Sequence, residues 1–395
     1  MFKKLFKNSL FTFIIGGLIA CTISVGAASL IYSSDVTYDN TSSGLSSTTV
    51  QGALDELYEK AKNAPSCDSD GVCTVSCKTG EQLILNSDTS YKCEVPPPVK
   101  FGGQSIEVVA SGDGLYADTV TDGRYYYRGA NVNNYITFNN ETWRILSIES
   151  DGTLKIVRNE QFDYTSEWDA ADNRDSSTST YCTKTGTYSY GCNAWAATSN
   201  LVGTPSTITY YYPNGNTSDS TTYSGTVTSD STMATYLNGT YYNSLTSDAK
   251  SKVVKGTFNV STPGYLRDTE TLETDAEQEK QYQWKGYVAL YTVTELLRAS
   301  TDSSCTSLNA GYNAGESSPC KNSNWLWPTF KNSVTYEWML SPYVNSYLSV
   351  WTVYFRSTIS YDFPTRDNNT RPVLHLTPNI TLSGTGTSSD PYTIS

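Results

Sequence analysis

The N-terminal apolar run constrains this chain more than any other feature, because it decides on which side of a membrane the other residues fold. Residues 11–32 are apolar except for four Ser and Thr side chains, and they follow Lys3, Lys4 and Lys7. A spanning helix needs about 20 apolar residues and a signal-peptide core about 7–15, so the run is long enough for either. The lysines keep the N-terminus inside. We interpret residues 1–32 as a signal peptide or a membrane anchor, and both alternatives export the rest of the chain.

Residues 18–21 offer a third alternative for the N-terminus. The sequence Leu18-Ile19-Ala20-Cys21 resembles a lipoprotein box, in which Cys21 would be lipidated and become the mature N-terminus. The apolar run continues well past Cys21, where lipoproteins usually turn polar, and this argues against lipidation. A buried core helix would need a partner element, and no nearby segment resembles one.

The other cysteines agree with export. Eight follow Cys21 in clusters: Cys67, Cys73, Cys77, Cys93, Cys182, Cys192, Cys305 and Cys320. An even, clustered set outside the cytoplasm is typical of disulfides, and Cys182–Cys192 and Cys305–Cys320 would close short loops. The first four would pair among themselves in one of three connectivities. A zinc site is the alternative for those four, but they lack Cys-x-x-Cys spacing and a nearby histidine, so we predict no metal site.

The composition indicates a β-rich protein that does not bind nucleic acid. Hydrophobic residues make up 38% of the chain and charged residues 17%, and 31 tyrosines accompany many Ser, Thr, Asn and Gly residues. Tyr and Thr favour pleated surfaces, while Ser, Asn and Gly favour turns. The net charge of −12 repels phosphate backbones.

Residues 33–66 are predicted to form a stalk with one short helix. Thr48 can cap this helix, with Gln51 completing a capping box. An apolar stripe at heptad spacing follows: Val50, Leu54, Leu57 and Ala61. A short helix is marginal alone, so the stripe needs the globular domain or a second copy of the chain, and we expect a possible homo-oligomer through residues 48–63. Residues 38–57 resemble stalk elements of bacterial surface and phage tail-fibre-like proteins.

Residues 67–98 form a Cys-rich segment and a stiff Pro96-Pro97-Pro98 spacer, so we place the globular domain at 99–395. Within it, residues 143–148 and 154–158 are strand-like, and Asp151-Gly152 predicts a hairpin turn. Residues 162–230 are interpreted as a long insertion. Short helices are predicted near 233–237 and 247–254, and another is predicted to start at Thr294.

The globular domain contains several short sequence motifs, called phrases below, in this order: Trp143-Arg144-Ile145, Tyr236-Leu237-Asn238, Trp338-Met339-Leu340-Ser341-Pro342, Val350-Trp351-Thr352-Val353 and Arg371-Pro372-Val373-Leu374. The set resembles a class of uncharacterised bacterial surface domains. More distantly it is similar to the C-type lectin-like fold and its sulfatase-modifying-factor branch. The resemblance implies an α+β domain with long irregular insertions. Calcium motifs of lectins are absent from the sequence, so calcium-dependent sugar binding is not implied.

Catalysis is not indicated. The single histidine, His375, lies in an apolar strand, and the sequence has none of the common hydrolase, metalloprotease or nucleotide-binding motifs. The carboxylates Glu167 and Asp169 could serve a polysaccharide hydrolase, but nothing distinguishes them from surface acids. We expect no enzyme activity and no cofactor. The sequence favours an adhesin-like cell-surface protein that binds an extracellular glycan or protein, with a structural surface-layer or fibre protein as the alternative.

Ligand contacts are predicted in the last segment, 341–395, which contains no Lys, Glu, Gln or Met. Large or charged side chains lie there between framework strands: Tyr343, Tyr347, Tyr354, Arg356, Tyr361, Asp362, Phe363, Arg366 and Asp367. Residues 354–369 use only amino acids with codons that can end in cytosine, as in C-type lectin-like receptors diversified by adenine mutagenesis. The alternative is an ordinary β-rich terminus whose tyrosines pack on the core.

Overall fold

The computed structural model describes residues 37, 46–62, 66–67, 73–74, 82–85, 91–173, 191–213, 220–264, 270–312, 318–330, 336–343, 348–356 and 358–395. Residues 11–32, Cys21, Cys77, Cys182 and Tyr347 lie outside these ranges. Among the helices of the described ranges, none combines the length and the apolar character that crossing a membrane requires.

The chain divides into two compact units, Met1–Ser76 and Cys77–Ser395. In the first, helix α1 (Val50–Lys62) confirms the short helix predicted in this region. Its cap is Thr49 rather than Thr48, since the Thr49 hydroxyl accepts the Gly52 N–H at 3.1 Å. Of the predicted stripe, Val50 and Leu54 are half-buried. The same unit contains two short strands: β1 (Ser66–Cys67) and β2 (Cys73–Thr74).

The second unit is a mixed α+β fold in which strands predominate. Its strands up to residue 225 are β3 (Gln82–Leu85), β4 (Tyr91–Glu94), β5 (Val99–Phe101), β6 (Gln104–Ile106), β7 (Gly114–Ala117), β8 (Tyr125–Arg128), β9 (Tyr135–Phe138), β10 (Glu141–Ile148), β11 (Leu154–Arg158), β12 (Ile208–Pro213) and β13 (Ser220–Gly225). The later strands are β14 (Val253–Val254), β15 (Gly256–Asn259), β16 (Gln283–Gly286), β17 (Val288–Ala289), β18 (Tyr336–Pro342), β19 (Val350–Tyr354), β20 (Thr358–Asp362), β21 (Val373–Leu376), β22 (Leu382–Ser383) and β23 (Thr393–Ile394).

Short helices connect these strands. They are α2 (Thr232–Tyr236), α3 (Tyr242–Ser244), α4 (Ser247–Lys252), α5 (Leu272–Glu279), α6 (Val293–Arg298), α7 (Leu308–Tyr312) and α8 (Pro319–Asn322), with a π-helical turn at Leu237–Tyr241 and a 3-10 turn at Thr198–Asn200. Helix α6 begins one residue before the predicted Thr294. Thr292 caps it in a capping box with Glu295.

An eight-stranded antiparallel sheet forms the centre of this unit, in the order β14-β21-β11-β10-β8-β7, with β17 beside β21 and β9 beside β10. The predicted hairpin is confirmed, because β10 pairs with β11 from Trp143↔Arg158 to Ile148↔Leu154. Its turn needs Gly152, whose φ is 81°. A second sheet, β18-β19-β20, carries the strands around Trp338 and Trp351. Both tryptophans are fully buried.

The disulfide prediction is confirmed in part. Cys305 and Cys320 are bonded, with their Cα atoms 4.9 Å apart. Cys93 takes part in a disulfide bond, and so does Cys192. The predicted partner of Cys192 is Cys182, which lies outside the described residues, so that pairing stays a prediction.

Candidate functional site

A layer of aromatic rings covers one side of the small sheet. Tyr361 on β20 stacks on Tyr343, with ring centroids 4.1 Å apart, and on Tyr312 of α7 at 6.4 Å. Trp351 packs edge-on against Tyr343 at 4.8 Å. The layer therefore leads from the buried Trp351 outward to Tyr361, which is 41% exposed.

The β19–β20 turn carries a second group of aromatic side chains. Tyr354 stacks on Tyr336 at 4.9 Å, and Phe355 packs edge-on against Tyr354 at 4.8 Å. The Arg356 guanidinium lies 5.6 Å from the Phe355 ring centre. Phe355 is 43% exposed. The turn thus presents a cation next to an aromatic ring, a pairing that is common in protein recognition.

The segment after β20 is held in place by backbone hydrogen bonds. The Pro364 carbonyl accepts the Trp168 N–H at 2.8 Å, and the Asn368 carbonyl accepts the Ser166 N–H at 3.0 Å. The Asp362 carboxylate accepts the Asn368 side-chain amide at 3.0 Å. Exposed side chains therefore project from an ordered backbone in this segment: Phe363, Arg366 and Asp367.

The predicted contact residues separate into three groups. Exposed ones are Arg356, Tyr361, Phe363, Arg366 and Asp367, which lie on the turn, on β20 and on the segment after it. Tyr354 and Asp362 are half-buried, and Tyr343 is buried beneath Tyr361. Tyr347 lies outside the described residues. We call Phe355 and the five exposed residues the binding face; the sequence analysis did not single out Phe355.

A polar cavity of about 370 Å³ beside the large sheet is a second candidate site. It was not predicted from the sequence. Its ionisable lining residues come from strands, helices and loops that are distant in sequence: Asp118, Arg124, Glu149, Asp151, Lys155, Glu279, Lys280, Glu295, Arg298 and His375. We call this space the polar cavity.

Most charged side chains of the polar cavity form ion pairs with one another. The Arg124 guanidinium lies 2.7 Å from Asp118, 3.0 Å from Glu149 and 3.2 Å from Glu295. Lys155 lies 2.5 Å from Glu295, and Arg298 lies 2.5 Å from Asp118. Burial alone would raise the pKa of Asp118, but the two guanidiniums outweigh it and hold that pKa at about 2. Asp118 is therefore ionised at physiological pH, and the two guanidiniums neutralise it.

His375 is a neutral side chain in the cavity wall. Burial lowers its pKa to about 4 despite the nearby Glu149 carboxylate. The Thr153 hydroxyl lies 3.0 Å from Nδ1 and donates its proton to the Asp151 carboxylate at 2.7 Å. The hydroxyl oxygen must then accept a hydrogen bond from the Nδ1–H group. The proton of the neutral imidazole is therefore on Nδ1, and Nε2 is a hydrogen-bond acceptor without a proton. Within the described ranges, the buried Nε2 atom has no hydrogen-bond partner.

Glu279 is a buried carboxyl group of the cavity wall. It is 1% exposed and accepts hydrogen bonds from the Ser341 and Thr294 hydroxyls. Burial raises its pKa to about 7, against the effect of these hydroxyls. No ion pair joins it to any cation in the part of the chain that the structure describes.

The carboxylates Glu167 and Asp169 do not form a matched pair. Asp169 is fully buried, and its oxygens accept the Cys192 N–H at 2.9 Å, the Thr232 N–H at 3.2 Å and the Asn173 amide at 2.6 Å. These bonds give Asp169 a structural role. Across the described ranges, no group of three or more His, Cys, Asp and Glu side chains could hold a metal ion.

Comparisons with known proteins add no relative. No protein-family model matches the chain, and no curated protein or solved structure matches it. The function of this protein must therefore be inferred from the geometry of its own residues.

Proposed function

We propose that this chain is an exported bacterial cell-surface protein whose domain 99–395 binds an extracellular glycan or protein through the binding face. Residues 1–32 act as its signal peptide or membrane anchor, and residues 33–66 act as a stalk. Ligand binding here requires no cofactor and no catalysis.

One observation carries the proposal. Three large aromatic side chains are exposed along the β19–β20 hairpin: Phe355 in the turn is 43% exposed, Tyr361 on β20 is 41% exposed, and Phe363 just after β20 is 37% exposed. Framework residues beside them, Val353 and Ile359, are 0% and 1% exposed. Exposed aromatic side chains on a rigid support lose little conformational entropy on binding and supply large contact areas. Arg366 and Asp367 add polar contacts at the rim.

The proposal is tested by removing the side chains and keeping the framework. The change of Tyr354, Arg356, Tyr361 and Phe363 together to Ser should lower the melting temperature by only a few degrees and abolish binding. Binding of the labelled ectodomain, residues 33–395, is measured on a glycan array and on a panel of intact bacterial cells. The matched control is Tyr164→Ser with Val202→Ser, because these side chains are also exposed but lie outside the binding face.

Two outcomes contradict the proposal: a wild-type ectodomain that binds none of these probes, or a variant that binds as the wild type does. Tyr354 is half-buried, so the quadruple variant could lose stability through its stacking on Tyr336. The triple variant Arg356→Ser, Tyr361→Ser, Phe363→Ser avoids this, and it should lose binding while folding normally.

We also propose the C-type lectin-like architecture for residues 99–395. Its support is that the phrases around Trp338, Trp351 and Val373 form fully buried, paired strands. The phrase around Val373 belongs to the large sheet, whereas the other two belong to the small one. An experimental structure in which the two sheets do not follow the C-type lectin-like strand connections would refute this assignment.

A structural fibre or surface-layer protein is the second candidate. The helix α1, with its half-buried Val50 and Leu54, favours it, because such a stripe supports self-association. Ordered arrays of the purified ectodomain in electron micrographs, together with no binding to any probe, would favour this function over the first.

A further inference from the structure

We propose that the polar cavity binds a small molecule that carries a protonated amine. The binding face is separate from this cavity, since none of its six residues lines the cavity wall. The inference therefore goes beyond the proposed function and does not depend on it.

The first step is the balance of charge. The cavity wall has five carboxyl groups and four cationic groups, with His375 neutral. One of the cations, Lys280, directs its ammonium to the Val120 carbonyl at 2.7 Å and to the exposed Glu277 at 2.8 Å. The remaining cations, Arg124, Lys155 and Arg298, pair with Asp118, Glu149 and Glu295. Among the described residues, two carboxyl groups of the cavity are thereby left without a counter-ion, the exposed Asp151 and the buried Glu279.

The second step is the presence of a free acceptor. His375 is 2% exposed, lines the cavity and keeps a lone pair on Nε2. A buried acceptor without a donor is unfavourable, so a ligand that donates a hydrogen bond there is stabilised. The carboxyl group of Glu279 is a second acceptor in the same wall. An ammonium group is a cation with three donors and no acceptor, so it satisfies both requirements.

The alternatives fit less well. A metal ion needs three or more grouped ligands, which the described residues do not provide. An anion would compete with carboxylates that already occupy the guanidinium and ammonium groups. The Nε atom of Arg298 is the exception, since it is buried without a partner in the described part of the chain. It could donate to a hydroxyl or carboxyl oxygen elsewhere on the ligand, so amino alcohols and amino acids are preferred over simple amines.

The test measures binding of three amines to the purified ectodomain by calorimetry and thermal shift. Ethanolamine, glycine and glucosamine are compared with ethylene glycol, glycolate and glucose, which lack the amine. At least one amine should bind, and its neutral or anionic counterpart should bind at least tenfold more weakly. Glu279→Gln should weaken amine binding at least tenfold, whereas the control Glu273→Gln, on the exposed side of α5 and outside the cavity wall, should leave it unchanged.

The pH dependence gives a second readout that needs no variant. Glu279 faces Asp275 and Lys280 along its own chain segment, Glu295 and Arg298 on α6, and Arg124, Lys155 and His375 across the cavity. Its pKa of about 7 means that ionised Glu279 becomes available between pH 6 and pH 8. A protonated amine should therefore bind severalfold more tightly at pH 8 than at pH 6.

Three results would overturn the inference. These are no binding of any amine at millimolar concentration, equal binding of the matched compounds without an amine, and undiminished amine binding by a folded Glu279→Gln variant. If that variant does not fold, the compound pairs and the pH profile of the wild type decide the question. The triple variant of the binding face should bind amines normally, so that failure of one proposal is distinguished from failure of the other.

Discussion

The Arg371 guanidinium donates to the Glu337 carboxylate at 2.8 Å, and this buried contact joins the two main sheets of the domain. Glu337 lies on β18 of the small sheet, and Arg371 immediately precedes β21 of the large sheet. Arg371 also donates to the Leu326 carbonyl at 2.7 Å, and the Tyr291 hydroxyl donates to Glu337. The sheet that supports the binding face is thus fixed to the rest of the domain by charge-assisted hydrogen bonds.

Breaking this ion pair should destabilise the whole domain. Arg371→Met leaves the Glu337 carboxylate buried without its cation, which typically costs about 3–5 kcal/mol. Urea unfolding should show a lower midpoint with an unchanged slope. The control is Arg366→Met, because Arg366 is exposed. Equal midpoints for the wild type and Arg371→Met would show that the pair does not hold the sheets together.

The disulfide between Cys305 and Cys320 should contribute measurably to stability. It closes a chain segment with a sequence separation of 15 residues, and a loop of that size is stabilised by about 3 kcal/mol in the chain-entropy account. Replacing both cysteines with Ala should lower the melting temperature by several degrees. The reduced wild type should behave similarly, and a double variant as stable as the oxidised protein would contradict this expectation.

Export is tested on intact cells. Protease added outside the cell should digest residues 33–395, because the lysines before the apolar run keep only the N-terminus inside. A cytosolic protein of the same cells should stay intact and serves as the control for lysis. Full protection of the chain, with recovery from the cytosol, would refute the assignment of residues 1–32.

The stalk helix should drive self-association of the ectodomain. Leu54→Asp with Leu57→Asp places charges in the apolar stripe and should convert an oligomer into a monomer in sedimentation experiments. Asp55→Ser with Glu59→Ser changes other faces of α1 and should leave the oligomer intact. A wild-type ectodomain that is monomeric at high concentration would mean that the stripe packs within one chain.

The sequence predicted those parts of the fold that depend on local patterns. The hairpin at Asp151-Gly152 follows from alternation and turn chemistry, and α1 from an apolar stripe. The predicted start of α6, Thr294, lies one residue after the observed start. The observed cap is Thr292, because Glu295 is the partner that completes its capping box. Local patterns thus locate elements but fix their ends only to within a residue or two.

The two sites differ in how far the sequence could predict them. The residues of the binding face all lie within one short stretch of sequence, 355–367. A single segment of the sequence was therefore enough to predict most of them. The polar cavity gathers Arg124, Glu279 and His375 from separate elements, and their proximity depends on strand order. One local indication existed: a lone histidine between Leu374 and Leu376 in a strand must be buried, and a buried histidine needs hydrogen-bond partners.

The phrases that resemble bacterial surface domains serve the framework. Asn238 accepts the Tyr287 and Val288 N–H groups at 2.9 Å and 3.1 Å and donates to the Val288 carbonyl at 2.8 Å. Arg144 donates to the Asn134 side chain at 2.5 Å and stacks on Tyr135. Neither residue belongs to the binding face or to the polar cavity. The Asn238 and Arg144 side chains of these phrases therefore support the fold.

Asp275 on α5 is a buried carboxyl group that opposes folding at neutral pH. It is fully buried, and neither oxygen has a hydrogen-bond partner among the described residues. A side chain at Gly264 would clash with both Asp275 and Glu270, so these two carboxyl groups lie close together. Burial, followed by the charges of Glu270 and Glu279, raises the pKa of Asp275 to about 8.

Replacing Asp275 with Asn should stabilise the domain increasingly as the pH rises. Between pH 3.8 and pH 8 the folded state retains the Asp275 proton that the unfolded state has released, so the wild type loses stability across that range. Asn is neutral at every pH, so the gain should be below about 1 kcal/mol at pH 4 and reach about 5 kcal/mol at pH 8. Urea unfolding at pH 4, 6 and 8 measures it, with the exposed Glu277→Gln on the same helix as the control. A gain that stays constant from pH 4 to pH 8 would show that Asp275 titrates normally.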